Sequence, residues 1–236
     1  MSSFRYCLNT STIREKNIGI EAEIDVTAKA GYSGIEPWIR TIRAYMDEGG
    51  KLSDLRKRLG DQGVQVESAI GFAPWILNDD EGRAKGLEEA KSDMELVAAL
   101  GGTRIAAPPF GAHKGPLIDL ETVAERYHDL LEVGRQAGVT PLLEVWGHSQ
   151  NLHRLGQTLF AASESSHPDA SLLLDIYHIY KGGSTYEGLS LLGAKAMPVL
   201  HMNDYPATPD RNEMSDSHRV MPGDGIADFG AIIKQL

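Results

Sequence analysis

The chain has 236 residues, of which 42% are hydrophobic and 24% are charged, and these values are typical of a globular domain rather than a disordered chain. Its formal net charge of −10 opposes a broad phosphate-binding surface, so nucleic acid is not an expected partner. Because the sequence has neither a signal pattern nor an apolar run of roughly 18 residues, we expect a cytoplasmic protein that does not contact membranes.

Short apolar runs alternate with helical patterns along the chain. Strands are predicted at Tyr6–Asn9, Gly34–Glu36, Val64–Ile70, Thr103–Ala107, Pro141–Glu144, Leu172–Asp175 and Val199–Asn203. Several of these runs are almost continuously apolar, as in parallel sheets that helices cover on both faces. The single cysteine, Cys7, falls in the first run and is expected to be a small buried hydrophobe.

Capping residues mark the predicted helix boundaries. Helix starts are expected at Ser53 or Asp54 before residues 55–60, at Asp80 before residues 82–100, and at Asp119 before residues 120–137. Glycines expected just beyond helix ends are Gly31, Gly63, Gly101 and Gly138. The repeated order of glycine and strand predicts an α/β fold of the TIM (β/α)8 type, with an open doubly wound sheet as the alternative. No Gly-x-Gly-x-x-Gly turn follows the first strand, which weakens nucleotide-binding versions of that alternative.

Three polar residues end three of the apolar runs. Glu144 follows Pro-Leu-Leu, Asp175 follows three leucines, and His201 follows Pro-Val-Leu. The carboxyl ends of parallel strands meet at one edge, so these oxygen and nitrogen donors are expected to bind one divalent ion. This donor set suits Mn, Zn, Mg or Fe.

Longer motifs in the same regions resemble a known family. They are Gly-Tyr-Ser-Gly-Ile-Glu-Pro-Trp (31–38), Leu-Leu-Glu-Val-Trp-Gly-His-Ser-Gln-Asn (142–151), Leu-Leu-Asp-Ile-Tyr-His (173–178), Leu-His-Met-Asn-Asp-Tyr (200–205) and Arg-Val-Met-Pro-Gly-Asp-Gly (219–225). Together they resemble the xylose isomerase-like TIM-barrel superfamily of sugar isomerases, ketose epimerases, inosose dehydratases and family 2 AP endonucleases. The resemblance implies that Glu144, Asp175 and His201 bind metal, and that His178 and Arg219 contact substrate.

The chemistry of such a site is metal-assisted proton transfer. A divalent ion that chelates a carbonyl and its neighbouring hydroxyl stabilises the enediolate formed by proton loss, and Glu144 could carry the proton. We therefore predict an isomerase or epimerase that acts on a small sugar or keto-polyol, with catalytic residues Glu144, His178 and Arg219. Further substrate-binding candidates lie at or just past predicted strand ends, although a tryptophan taken alone is more often a packing residue. They are Glu36, Trp38, Trp75, Trp146, His148 and Asn203.

Three alternatives stay open. One is a metal-dependent dehydratase of the inosose type, and another is a noncatalytic carbohydrate-binding barrel. The third is a family 2 AP endonuclease, because Asp216-Ser-His218 resembles an Asp-x-His pair of those enzymes. Residues 69–72 and 106–109, however, lack the histidines that the nucleases carry there.

Other positions bear on the reaction. Gln150 stands where ketose 3-epimerases usually have a glutamate, and this argues against ketose 3-epimerase activity. Four other histidines are expected at the surface and without a chemical role, and they are His113, His128, His153 and His167.

The C-terminal segment carries a further expectation. Residues 229–236 look like the start of the seventh outer helix, so residues 1–236 are expected to form a single TIM-barrel domain that lacks its eighth β/α unit. The absent unit would also supply a fourth metal ligand in relatives. Exposed strand edges promote self-association, so a homo-oligomer is one expected consequence.

Overall fold

The computed structural model describes residues 4–236. Its strands are β1 (Cys7–Asn9), β2 (Gly34–Glu36), β3 (Gln65–Val66), β4 (Arg104–Ala107), β5 (Thr140–Glu144), β6 (Leu172–Asp175) and β7 (Val199–His201). Its helices are α1 (Gly19–Lys29), α2 (Ile39–Asp47), α3 (Leu52–Gln62), α4 (Asp80–Ala99), α5 (Leu120–Ala137), α6 (Leu155–Glu164), α7 (Ile176–Lys181) and α8 (Phe229–Ile233). Among the described residues, no helix is long and apolar enough to cross a membrane.

The strands form two sheets, with orders β1-β2-β3 and β4-β5-β6-β7. The pairs β1–β2, β2–β3, β5–β6 and β6–β7 are parallel. The predicted alternation of strand and helix is therefore confirmed, and within residues 4–236 the strand count is seven, as predicted. β1 and β7 are each an outer strand of their own sheet.

Two compact units divide the described chain. The first takes its residues from 4–72, Glu88–Ala106 and Val133–Pro141, and the second comprises Ala73–Leu87, Ala107–Glu132 and Leu142–Leu236. In the first unit, Ile24, Ile35 and Ile42 are fully buried. In the second, Trp75, Leu143 and Leu173 are fully buried. Burial of these apolar side chains is the main term that holds each unit together.

Several element boundaries differ from those predicted. The strand expected at Val64–Ile70 is reduced to Gln65–Val66, with an isolated bridge between Trp38 and Ile70. Helix α3 begins at Leu52 after Lys51, so neither Ser53 nor Asp54 caps it. Helix α4 begins at Asp80, and the Asp79 carboxylate accepts the Gly82 N–H at 2.6 Å, so the cap is one residue earlier than predicted.

Other local predictions are confirmed. Asp119 accepts the N–H groups of Glu121 and Thr122 at the start of α5. All four glycines expected at helix ends have φ between +67° and +86°, the left-handed region that glycine adopts without a steric cost. Cys7 is partly rather than fully buried, and burial raises the pKa of its thiol well above the usual range, which favours the neutral thiol.

Candidate functional site

The register of the second unit places the three predicted metal ligands on one face of the sheet. Glu144 pairs with Leu173, and Asp175 pairs with His201. Side chains two residues apart on a strand share a face, so Leu173 and Asp175 point the same way. Paired residues of neighbouring parallel strands also share a face. Glu144, Asp175 and His201 therefore project from one face at the carboxyl ends of β5, β6 and β7, where TIM-barrel active sites lie.

Asp175 is a buried carboxylate, and each of its two oxygens accepts one hydrogen bond. Oδ1 accepts the backbone N–H of His178 at 3.0 Å, and Oδ2 accepts the Asn203 amide at 2.6 Å. The His201 Nδ1 atom lies 3.6 Å from Asp175 Oδ2. Burial by itself would raise the pKa of Asp175, but His178, His201 and Arg219 favour the charged form and hold the pKa below its usual range. Asp175 is therefore an anion near neutral pH.

His178 lies in the short helix α7, which Asp175 caps. Its side chain is buried, and its Nδ1 atom has no hydrogen-bond partner among residues 4–236. Burial lowers the pKa of His178 to about 4, although Asp175 and Asp216 oppose this shift. The imidazole is therefore neutral at pH 7, and one nitrogen can accept while the other donates.

Two neighbouring loops bring further polar groups to His178. One ligand atom each from His148, His178 and Asp216 lies within 4.8 Å of the others, and this is the cluster with possible metal-binding geometry that the described residues contain. His148 Nδ1 is 3.8 Å from Asp216 Oδ1. Both residues line an open pocket of about 560 Å³ that Lys181 and Ser215 also border. Burial lowers the pKa of His148, and Asp216 opposes this effect.

Arg219 lies at the edge of the same site. Its Cζ atom is 5.6 Å from the Tyr177 ring centroid, a cation–π contact, and its Nε donates to the Asp216 carbonyl at 3.2 Å. By contrast, the His218 Nδ1 atom accepts the Ser215 N–H at 3.0 Å. This ring nitrogen is therefore engaged within its own turn.

Asp204 fixes the loop that follows Arg219. This fully buried carboxylate accepts four backbone N–H groups. Oδ1 accepts from Tyr205 and Ala227, and Oδ2 accepts from Gly223 and Gly225, at 2.8 to 3.0 Å. Burial would raise the pKa of Asp204, but the four donors outweigh it and lower the pKa. Asp204 is thus a structural anion beside the site.

The aromatic candidates occupy different environments. Trp146 lies 4.5 Å from the His148 ring, and His148 lies 5.4 Å from the His178 ring. Trp75 is 1% exposed, and its Nε1 donates to the Pro108 carbonyl at 2.9 Å. Trp75 is therefore a core residue of the second unit, and this placement favours packing over the ligand contact that its position in the sequence suggested.

Glu36 and Trp38 belong to the first unit. Glu36 is buried and accepts the Asn9 side-chain amide at 2.8 Å. Trp38 is partly exposed, donates from Nε1 to Ser11 Oγ at 2.7 Å, and lies under the guanidinium of Arg40 at 4.2 Å. Both side chains have the polar contacts that hold a binding residue in a defined orientation.

The sequence did not reveal the placement of four residues. Asp216 was considered only as part of a nuclease motif, and Asp204 was not singled out, although the glycine-rich turn after Arg219 supplies several N–H donors. His113 was expected at the surface, yet its Nδ1 atom is buried. His167 was also expected at the surface, but it is 7% exposed and its Nε2 lies 3.1 Å from Glu132. Contacts between distant loops leave no periodic pattern in the sequence, so the sequence could not predict where these side chains lie.

Comparison with known proteins agrees with this architecture. A family model described as xylose isomerase-like TIM barrel matches residues 24–236, so the chain belongs to that family. A search of curated proteins found no match.

Solved structures are similar over almost the whole chain. The crystal structure of IOLI protein with a bound zinc atom has a TM-score of 0.89 at 21% identity, covering 98% of this chain and 84% of that one. The probable 3-DHS dehydratase AsbF of Bacillus anthracis has a TM-score of 0.80 at 18% identity, covering 98% and 88%. An L-ribulose 3-epimerase has a TM-score of 0.78 at 20% identity, covering 99% and 77%. Identities this low establish the shared fold alone.

Proposed function

We propose that the protein is a divalent-metal-dependent isomerase or epimerase that acts on a small sugar or keto-polyol. The observation that carries this proposal is the buried Asp175 carboxylate, which is held as an anion beside His201. Glu144 shares its sheet face. An ionised carboxylate next to an imidazole at the end of a strand offers oxygen and nitrogen donors to a cation, and this supports a metal-binding role.

The donor chemistry of the three proposed ligands suits a divalent ion. Two carboxylates and one imidazole, from Glu144, Asp175 and His201, form a donor set that suits Mn, Zn, Mg or Fe. The similar IOLI structure contains a zinc atom, and this supports a divalent ion as the cofactor. When bound, such an ion supplies Lewis-acid polarisation of a substrate carbonyl. Asn203 holds the Asp175 carboxylate in place by its 2.6 Å hydrogen bond.

The protein's own side chains divide the remaining work. Glu144 removes a proton from the carbon beside the substrate carbonyl and returns it. The neutral imidazole of His178 contacts a substrate oxygen, and Arg219 adds a positive charge at the rim. In a buried site such charges act with little screening, so their orientation matters more than their number. The same proton removal begins both isomerisation and epimerisation, so this geometry does not separate the two.

A second candidate is a dehydratase, because elimination of water from a keto-polyol begins with the same proton removal. The similarity to the probable 3-DHS dehydratase AsbF favours keeping it. A third is a noncatalytic carbohydrate-binding barrel, since fold alone does not establish activity. The nuclease alternative is weaker, because His218 is bonded within its own turn.

The direct test is solvent-deuterium exchange. The purified protein, loaded in turn with Mn, Zn, Mg or Fe, is incubated in D2O with ketohexoses and keto-inositols, and deuterium at the carbon beside the carbonyl is measured by NMR. We expect exchange that requires metal and disappears in Asp175→Asn. Asp224→Asn, a change at an exposed acid of the 219–225 loop, should keep it. Absence of exchange with every metal and substrate, or exchange that survives Asp175→Asn, would refute the proposal.

A further inference from the structure

Two arginines of the first unit lie against one tryptophan. The guanidinium carbon of Arg14 is 5.0 Å from the ring centroid of Trp38, and that of Arg40 is 4.2 Å from it. Both carbons are within 5.0 Å of one point, so at most twice that distance separates them. Arg14 lies in the short 3-10 helix Arg14–Lys16 after β1, and Arg40 lies in the first turn of α2. Two segments of the chain thus bring two positive charges to the same ring.

Trp38 holds its ring in a defined position. Its Nε1 donates to Ser11 Oγ at 2.7 Å, and its ring lies 5.0 Å from that of Phe72 at an interplanar angle of 46°. The backbone of Trp38 also forms a bridge with Ile70. A guanidinium that stacks on an aromatic ring keeps the N–H groups of its edge available to donate. Trp38 is therefore a platform that orients two guanidinium groups before a ligand arrives.

Neither guanidinium has an acceptor in the described part of the chain. Among residues 4–236, Arg14 and Arg40 contact Trp38 but form no hydrogen bond or ion pair through their side chains. Arg43, one turn further along α2, instead pairs with Asp93. Each guanidinium carries five N–H donors. The donors of Arg14 and Arg40 are therefore available to a ligand.

The charge around the two arginines favours an anion. Helix α2 begins directly after Trp38, no side chain caps it, and its first turn contains no acidic residue. The N–H groups of such a helix end carry a partial positive charge. Beside Arg14 in the chain, Glu15 and Lys16 carry opposite charges. The carboxyl of Glu23 is buried, and burial raises its pKa although Arg40 opposes this shift, so Glu23 compensates little of the positive charge.

Two guanidinium groups fit a phosphate better than a carboxylate. A carboxylate has two oxygens and one charge, and a single arginine can satisfy it through two parallel hydrogen bonds. A phosphate ester carries almost two negative charges near neutral pH and three acceptor oxygens. Two guanidinium groups can share these oxygens, and each can donate two hydrogen bonds.

We propose that Arg14 and Arg40, oriented by Trp38, form a binding site for a phosphate group in the first unit. Neither arginine takes part in the proposed reaction, so the two proposals can fail separately. The phosphate can belong to a small organic ester or be inorganic phosphate, since both present the same oxygens.

The test is a titration of the purified chain, followed by NMR of its indole N–H groups. The chain has three tryptophans, and Trp38→Phe identifies the signal of Trp38. At constant ionic strength, sn-glycerol 3-phosphate or inorganic phosphate should shift the Trp38 signal more than those of Trp75 and Trp146. Tighter binding of the ester would identify an organic phosphate as the ligand, and tighter binding of inorganic phosphate would identify the free anion.

Charge variants then locate the site. Arg14→Gln and Arg40→Gln each keep a polar side chain but remove the guanidinium, so Kd for phosphate should rise about 10-fold for each, the lower end of the effect of a charged hydrogen bond. Arg40→Lys keeps the charge without the two-pronged geometry and should weaken binding less. The matched control is Arg56→Gln, which removes the same charge from an exposed position of α3 and should leave Kd unchanged.

Three results would overturn the inference. The first is that neither phosphate compound shifts the Trp38 signal, and the second is that acetate shifts it as strongly at the same concentration. The third is that Arg14→Gln and Arg40→Gln, with the circular dichroism of the parent, bind phosphate as well as the parent or no more weakly than Arg56→Gln. If Arg40→Gln does not fold, Arg40→Lys takes its place, and parent-like affinity in Arg40→Lys and Arg14→Gln together would also overturn it.

Discussion

The four N–H groups gathered by Asp204 predict that Asp204→Asn destabilises the protein and loosens the loop after Arg219. An asparagine presents one oxygen and one NH2 group, so either the Tyr205 and Ala227 pair or the Gly223 and Gly225 pair would face a donor. Two hydrogen bonds to a charged acceptor are lost, each typically about 1.5–3 kcal/mol. We expect a loss of about 3 kcal/mol, the lower end, because the loop can relax towards solvent.

For a chain of this size, such a loss lowers Tm by about 6–12 °C. Urea unfolding followed by circular dichroism measures the change, and amide hydrogen exchange locates it. Protection should fall at Gly223, Gly225 and Ala227. The control is Asp224→Asn, the same chemical change at an exposed position of the same loop. Equal stability of the two variants, or unchanged protection at these amides, would show that the Asp204 hydrogen bonds contribute little.

Three further predictions concern pH, catalysis and packing. Because the folded pKa of Asp204 is lowered, its stabilisation is complete above the unfolded value of 3.8 and is lost as pH falls through the folded value, so the parent and Asp204→Asn should converge in stability in acid. Urea titrations between pH 7 and pH 2 measure this, and a difference in stability that stays constant down to the lowest pH would contradict it. Glu144→Gln should slow deuterium exchange by about 10²–10⁴-fold, the usual cost of a general base, with unchanged circular dichroism; near-parent exchange at saturating metal would assign the proton to another residue. Trp75→Phe should lower stability by about 1–3 kcal/mol through loss of its buried hydrogen bond and ring volume, without changing metal content; metal loss at full stability would give Trp75 a role in the site.

Periodicity in the sequence located the elements that face the core. The apolar runs that end in Glu144, Asp175 and His201 became β5, β6 and β7. β5 and β6 are buried, as expected for parallel strands with apolar residues on both faces, whereas β7 is only partly buried. The strand predicted at Val64–Ile70 shortened to Gln65–Val66, because an apolar run defines burial but not backbone pairing. Lys51 precedes α3 without a side-chain cap, which shows that packing of the helix can override capping preference.

The site could be predicted only in part. Strand ends converge at one edge by geometry, so the three proposed ligands could be listed from the sequence. The approach of Asp216 to His148 and His178 depends on how the loops after β5, β6 and β7 fold. His113 was missed for the same reason, since Asn151, 38 positions along the chain, fixes its loop through three hydrogen bonds. Long-range side-chain contacts of this kind leave no local pattern.

Metal stoichiometry in paired variants tests the central proposal most directly. Asp175→Asn and Asp216→Asn each remove one carboxylate, the first from the strand-end set and the second from the cluster with His148 and His178. Both variants are dialysed against limiting Mn or Zn beside the parent, and bound metal is measured by mass spectrometry. The proposal predicts that Asp175→Asn loses the ion while Asp216→Asn retains it. Retention by Asp175→Asn together with loss by Asp216→Asn would contradict it and place the metal on His148, His178 and Asp216.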